Sequence, residues 1–160
     1  MEERVRLFPA DQVILLDEKR ALVVRVDEVM KTINLPLWHA EVVGNSYKRI
    51  KELRGPRVPA LIADEFVPAV DQVVRARARL DQRIALLRHV EALRLYAAEH
   101  NATLPAKLSD VTVPLPDDPI TGEPFRYEVT GATAHLRGSP PSGMEKDPTY
   151  NVHYEVTLRQ

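Results

Sequence analysis

The stretch that decides the fold is AVDQVVRARARLDQRIALLRHVEALRLYAAE, residues 69–99. It contains neither glycine nor proline, and it predicts one helix about 46 Å long. Helical spacing sorts its apolar residues into two stripes. The first stripe is Val73, Leu80, Ile84 and Leu87, and the second is Leu86, Val90, Leu93 and Ala97. Two stripes predict two contacts, one with helices that precede this segment and one with a β region that follows it.

Two shorter helices are predicted before the long one. Asp11 can cap a helix that runs to about Lys31, with inward positions at Ile14, Leu16, Val23, Val26 and Met30. The second helix would have Pro36 in its first turn and end near Arg54, with apolar positions at Leu37, Trp38, Val42, Val43, Tyr47 and Ile50. Residues 61–66 read as a helical lead-in, and Pro68 is expected to kink or restart the helix.

Proline usage separates the second half of the chain from the first. The sequence has 13 prolines and 6 glycines, and from Pro105 onward the prolines fall in turns between short β-like runs. Strands are predicted at 125–129, 133–137 and 150–158. In the last strand one side would carry Tyr150, Val152, Tyr154, Val156 and Leu158, and the other Asn151, His153, Glu155 and Thr157. Asn101 is predicted to take the left-handed position that ends the long helix.

Together these elements predict an α+β fold. N-terminal helices would pack on a long central helix, and a small antiparallel sheet of about three strands would follow. The predicted regions are an N-terminal helical hairpin at 1–60 and the long helix with the sheet at 61–160. A sheet this small needs the helix across one face, so we expect one cooperative unit.

A proline-bounded turn precedes the first strand, and its residues are interpreted as structural. The aspartates can accept hydrogen bonds from backbone amides ahead, the prolines fix φ, and the glycine supplies a positive φ. The turn residues are Asp117, Asp118, Pro119, Gly122, Pro124 and Phe125. A divalent cation held by Asp117, Asp118 and Glu123 is the functional alternative.

Charge and composition exclude several classes of protein. The chain has 22 Lys and Arg against 23 Asp and Glu, and no cysteine. Near neutrality gives no global attraction to nucleic acid, and disulfides and thiolate sites are impossible. Arginines do line the long helix, and an arginine ridge of Arg75, Arg79, Arg83 and Arg94 could bind anions. Acidic residues on the same helix favour local ion pairs instead.

Signatures of catalysis and of cofactor binding are missing from the sequence. The five histidines are dispersed, and no His-Glu-x-x-His motif, serine nucleophile elbow or glycine-rich phosphate loop occurs. We therefore assign no catalytic residue, cofactor or metal ligand. Folding could still bring His135 and His153 together on adjacent strands.

Two segments resemble the region after the helix in the major pseudopilins of type II secretion. They are LRLYAAEHNATLP, residues 93–105, and LPDDPITGEPFRY, residues 115–127. The resemblance covers about a quarter of the chain and implies a pseudopilin-like C-terminal half. The sequence contains neither a prepilin cleavage site nor the hydrophobic N-terminal helix of that family.

The whole chain is similar to uncharacterised bacterial proteins of planctomycete type that carry a membrane-anchored N-terminal part. LPLW at 35–38 and YEVTL at 154–158 carry this likeness. It implies a non-enzymatic structural or protein-interaction domain outside the cytoplasm, with envelope or secretion proteins as partners and a membrane segment beyond this chain. The alternatives are a ligand-binding or hydrolytic module with a site between helices and sheet, a binder of anionic polymers, and a cytoplasmic location.

Overall fold

The computed structural model describes residues 8–31, 33–43 and 57–158. Its helices are α1 (Ala10–Met30), α2 (Leu37–Val43) and α3 (Arg57–Glu99), and its strands are β1 (Arg126–Thr130), β2 (Thr133–Arg137) and β3 (His153–Thr157). Short 3₁₀ helices lie at Leu108–Asp110 and Pro148–Tyr150. This order of elements confirms the α+β class. The chain divides into two compact units, residues 1–35 with 40–74 and residues 36–39 with 75–160.

Helix α1 spans the predicted residues to within one position at each end. It begins after Pro9, whose carbonyl accepts hydrogen bonds from Gln12 and Val13 N–H. The predicted inward face is wrong, because Ile14, Leu16, Val23 and Met30 are exposed and only Val26 is half-buried. Apolar residues lie at adjacent positions, about 100° apart around a helix, so they do not form a single face. Among the described side chains of α1, the buried one is instead Arg25, which donates to the Ala21 carbonyl.

Helices α2 and α3 depart from the predicted boundaries. Helix α2 begins at Leu37, after Pro36, and the remainder of the predicted helix, with Tyr47 and Ile50, lies outside the described residues. Helix α3 begins at Arg57 and includes both the predicted lead-in and Pro68. The helix does not restart at Pro68. One proline removes a single intrahelical donor, and the residues on both sides remain helical.

The two apolar stripes of α3 have different environments. The second stripe is confirmed, since Leu86 and Leu93 are fully buried, Ala97 is buried, and Val90 packs against the core. The first stripe is wrong as a buried surface. All four of its members are exposed, namely Val73, Leu80, Ile84 and Leu87. The sheet packs on one side of α3 only, and Leu87 points about 100° away from its buried neighbour Leu86.

The three strands form an antiparallel sheet in the order β1-β2-β3. Register pairs Glu128 with His135 across β1 and β2, and His135 with Glu155 across β2 and β3. The buried core that the sheet shares with α3 consists of Ala85, Leu86, Leu93, Phe125, Ala134 and Leu136. The side chains of Val152, Tyr154 and Val156 also pack against it, which confirms the predicted inner side of the last strand.

Two predicted strand ends are corrected. Phe125 is buried in the core immediately before β1 rather than within it. Tyr150 belongs to a 3₁₀ helix and is buried there, so β3 begins three residues later than predicted. Asp147 accounts for the second difference, because its carboxylate accepts from Thr149 N–H and starts the 3₁₀ turn.

Helix α3 ends at Glu99, and Asn101 takes the predicted left-handed conformation, with a φ of 52°. Ala102 also has a positive φ, of 55°, and its N–H donates to the Ala97 carbonyl at 2.9 Å. This hydrogen bond, which reaches back from Ala102 to Ala97, is the one that closes a Schellman motif. Among the helices that the structure describes, none combines the length and apolar character needed to cross a bilayer.

Candidate functional site

The sheet has one buried face and one face turned to solvent. Strand geometry sends alternate side chains to opposite faces, so Ala134 and Leu136 of β2 enter the core while His135 lies between them on the outer face. On β3 the outer residues are His153, Glu155 and Thr157, all exposed. The antiparallel register therefore places two histidines and a glutamate side by side on the outer face.

These three side chains converge on one point. His135 Nδ1 lies 3.2 Å from His153 Nε2, and Glu155 Oε1 lies 3.6 Å from His135 Nδ1 and 3.8 Å from His153 Nε2. The side chain of His135 is only 20% exposed, against 36% for His153 and 60% for Glu155. The site is open to solvent on the side of β3 and is anchored by the partly buried His135.

This His-His-Glu cluster (His135, His153 and Glu155) is the group of potential metal ligands that the described residues bring together. The sequence suggested the histidine pair but missed Glu155. The missed signal is the spacing of two residues from His153 to Glu155, which puts both on one side of a strand. The antiparallel register of β2 with β3 then places His135 opposite the glutamate.

The second feature is the outer edge of β3. Hydrogen bonds from Gly138 N–H to the Val152 carbonyl and from Leu158 N–H to the Ala132 carbonyl fix the pairing with β2. In an antiparallel pair, alternate residues turn their backbone groups toward the partner strand. The N–H and C=O groups of His153, Glu155 and Thr157 therefore point away from β2. Within the described ranges, no other strand pairs with this edge.

A groove runs beside this edge, between β3 and α3. Its volume is about 700 Å³, and it is lined by Leu87, Val90 and Arg94 of α3 and by residues 153–158. Leu87 is 54% exposed. Arg94 lies 3.0 Å from Glu91, so its charge is partly paired within the helix.

The predicted structural turn is present, and Asp118 is its centre. Asp118 is 1% exposed, and its carboxylate accepts from Gln82 Nε2, Ile120 N–H and Ser139 N–H, with the shortest contact to each donor at 2.9 Å. Its backbone carbonyl accepts from Gly122 N–H at 2.7 Å. These bonds connect the turn to α3 and to the loop after β2.

The same contacts bear on the cation alternative for this turn. The Asp118 oxygens are taken up by amide donors, whereas Asp117 and Glu123 are exposed. The three do not form a ligand cluster among the described residues. Gln82 Oε1 is buried without a hydrogen-bond partner.

Close packing explains two glycines around this turn. Gly122 has a φ of 73°, and a Cβ there would stand 2.8 Å from Trp38 Cδ2. A Cβ at Gly138 would stand 2.5 Å from Gln82 Nε2. Pro124 is exposed and precedes buried Phe125, while Pro119 is half-buried.

The arginine ridge is only partly directed to solvent. Arg79 donates to the Tyr150 hydroxyl at 3.2 Å and lies 5.4 Å from the centre of its ring. Arg94 is paired with Glu91, Arg83 is exposed and Arg75 is half-buried. The guanidinium groups of Arg79 and Arg94 are thus engaged within the chain, which reduces the positive charge available to an anionic polymer.

The side chains with shifted pKa values lie outside the His-His-Glu cluster. Burial lowers the pKa of His89, against smaller opposing effects of a bond to the Ala85 carbonyl and the Asp117 charge. Burial also raises the pKa of Tyr127 to about 12, and its hydroxyl donates to the Pro105 carbonyl at 2.8 Å. Hydrogen bonds from its own N–H and from Gly143 N–H lower the pKa of Glu145. Hydrogen bonds from the side chain and the N–H of Thr149 lower the pKa of Asp147.

A smaller depression of about 270 Å³ lies beside the turn. It is lined by Asp81, Ile84, Ala85, Arg88, Pro116, Asp117 and Pro119. Its ionisable lining residues are Asp81, Arg88 and Asp117.

Comparison of the chain with known protein families, with curated proteins and with solved structures gave no match.

Proposed function

We propose that this chain is a non-enzymatic protein-interaction domain, and that it binds an extended segment of a partner protein along the outer edge of β3. The observation that carries the proposal is the row of outward N–H and C=O groups at His153, Glu155 and Thr157 beside the groove. An incoming strand would pair with these groups about 4.8 Å from β3.

The chemistry of the groove defines the segment that fits it. In an added strand, alternate side chains would face α3, where Leu87 and Val90 line the groove. The segment should therefore carry apolar residues at every second position. Its other side chains would extend the outer face, next to Thr157 and Glu155, and can be polar.

The resemblance to pseudopilins supports the same role. The order of long helix, Asp-Pro turn and three-stranded antiparallel sheet fits a pseudopilin-like C-terminal half. We propose a location outside the cytoplasm, attachment to the membrane through a segment outside this chain, and envelope or secretion proteins as partners. These assignments rest on the resemblance.

The test is selection from a library of peptides of about ten residues, displayed on phage, against the immobilised full chain. Selected peptides should alternate apolar and polar residues. Leu87→Glu should weaken their binding about tenfold or more, because a carboxylate would replace an apolar side chain that faces the bound segment. Leu80→Glu is the matched control, since Leu80 is equally exposed on α3 but does not line the groove.

Amide hydrogen exchange supplies a second readout. The N–H groups of His153, Glu155 and Thr157 should exchange quickly in the free chain and become protected when a peptide is bound. Peptides that protect other amides, or that lose affinity equally with both leucine variants, would overturn the proposal. Selection of no peptide would overturn it too.

A further inference from the structure

We propose that the His-His-Glu cluster on the outer face of the sheet binds a divalent transition metal ion, with Zn²⁺ as the best fit. This proposal is independent of the peptide groove, because it concerns side chains of the outer face rather than the strand edge. The types of ligand atom support the proposal. Two imidazole nitrogens and one carboxylate oxygen form a donor set that zinc accepts, and such three-ligand sites leave a position for water or another ligand.

The distances between the donor atoms fit a tetrahedral ion. Ligands about 2.0 to 2.1 Å from Zn²⁺ lie about 3.3 Å apart at the tetrahedral angle. The three donor separations are 3.2, 3.6 and 3.8 Å. Binding therefore requires small changes of side-chain torsion and no change of the backbone.

The backbone holds these groups in place before an ion arrives. His135 and Glu155 are directly opposite each other on β2 and β3, and His153 is the diagonal neighbour of His135. Their strands are fixed by the core on the inner face, where Leu136 and Ala134 are fully buried. A site on two paired strands loses little conformational entropy when it binds its ligand.

The charges around the cluster come from all three strands. Glu128 of β1 lies opposite His135, so Glu128, His135 and Glu155 form one row across the three strands. Arg137 lies opposite both His153 and Arg126 in the next row. The row that contains His135 thus has a glutamate on either side, and this arrangement favours a cation over an anion at the site.

The test is titration of the full chain, without an affinity tag, with ZnCl₂ in a calorimeter. We expect a single ion per chain. His135→Ala and His153→Ala should each lower the affinity about tenfold or more, and Glu155→Gln should lower it less than either histidine variant, because the amide oxygen remains a weak ligand. His100→Ala is the matched control, since His100 is an exposed histidine far along the chain and stacks on Tyr96.

Two spectroscopic readouts separate this site from incidental binding. Co²⁺ bound in its place should give the strong visible absorption of a tetrahedral complex, and the absorption should be lost in the double variant of His135 and His153. The ring signals of His135 and His153 should shift in NMR spectra when Zn²⁺ is added. Absence of zinc binding, or binding that the double variant retains, would overturn the proposal.

Discussion

At the scale of single residues, Asp118 connects separate segments of the second unit, residues 36–39 with 75–160. A buried carboxylate usually needs a charged partner, but this one is stabilised by amide donors from three separate segments. Each donor is also anchored elsewhere, in α3, in the turn itself or after β2. The carboxylate therefore fixes the relative positions of these segments.

We predict that Asp118→Asn lowers the free energy of unfolding by about 2 kcal/mol, because the new NH₂ group would face other donors and leave them unsatisfied. Asp117→Asn is the control and should change stability by less than about 0.5 kcal/mol, since Asp117 is exposed. Urea unfolding of both variants measures the difference. Equal effects of the two substitutions would refute the role assigned to Asp118.

His89 is the second residue with a consequence that can be measured. It is buried, its Nδ1 donates to the Ala85 carbonyl at 2.8 Å, and its ring meets Phe125 edge-on. Burial lowers the pKa of His89 below the ordinary value of 6.5. The unfolded chain therefore binds a proton at this position more readily than the folded chain.

The sign of the pH effect follows from linkage. The stabilising contribution of neutral His89 is complete above pH 6.5 and is lost as the pH falls below that value through the pKa of the folded state. We predict that the stability difference between the wild type and His89→Leu decreases from pH 7.5 to pH 5. Urea midpoints across this range provide the measurement, and a constant difference would contradict the prediction.

At the scale of elements, the C-terminal end of α3 carries a local strain. Both Asn101 and Ala102 have positive φ, and the left-handed region costs a residue with a Cβ about 1 kcal/mol or more. Asparagine tolerates this region better than alanine. The strained position is therefore Ala102, which is held by its bond to the Ala97 carbonyl.

We predict that Ala102→Gly raises the free energy of unfolding by about 0.5 to 1 kcal/mol, because glycine adopts this conformation without a steric cost. Ala106→Gly, at an exposed residue without a positive φ, should instead lower stability by about 0.5 to 1 kcal/mol through the entropy of the unfolded chain. Thermal unfolding compares the two. A loss of stability in Ala102→Gly would contradict the assignment of strain.

Sequence patterns predicted the positions of helices and strands better than they predicted which elements pack against each other. The turn at residues 130–132 placed β2 without error as the hairpin partner of β1. Period-two alternation identified the inner and outer sides of β3, because alternation is a property of the strand itself. Which stripe of α3 is buried depends on which element covers it, and spacing alone does not contain that information. For this reason the spacing predicts a contact at Leu80 and Leu87, although both are exposed.

The candidate sites were predictable to different degrees. The turn at Asp118 was identified from its local residue chemistry, whereas its donor Gln82 is distant in sequence. The histidine pair required the register of β2 with β3, which residue types do not determine because a long loop, residues 138–152, joins the two strands. Outward backbone groups at the edge of β3 depend on strand order and cannot be read from residue types.

At the scale of the whole molecule, the second unit has a core of its own. Every residue of its buried cluster lies between Ala85 and Leu136, and the packed strand residues extend to Val156. Leu37 and Trp38 belong to this unit from outside that range, and Trp38 packs against Gly122. Within the described residues, this core cluster is drawn from α3, the three strands and the connecting segments between them.

We therefore predict that a fragment of residues 69–160 folds cooperatively, with a lower urea midpoint than the full chain because the contacts of Leu37 and Trp38 are lost. The tyrosine signal in near-ultraviolet circular dichroism should persist, since Tyr127 and Tyr150 keep their partners. A fragment of residues 112–160 retains the sheet but lacks α3, and it should not fold, because the inner face of the sheet, which packs on α3 in the full chain, would be exposed to water. Gradual unfolding of the longer fragment, without a defined midpoint, would show that residues before 69 are needed for the core. Cooperative folding of the longer fragment alone would instead mean that the helix and sheet are the folding unit, and that residues before 69 are not required for it.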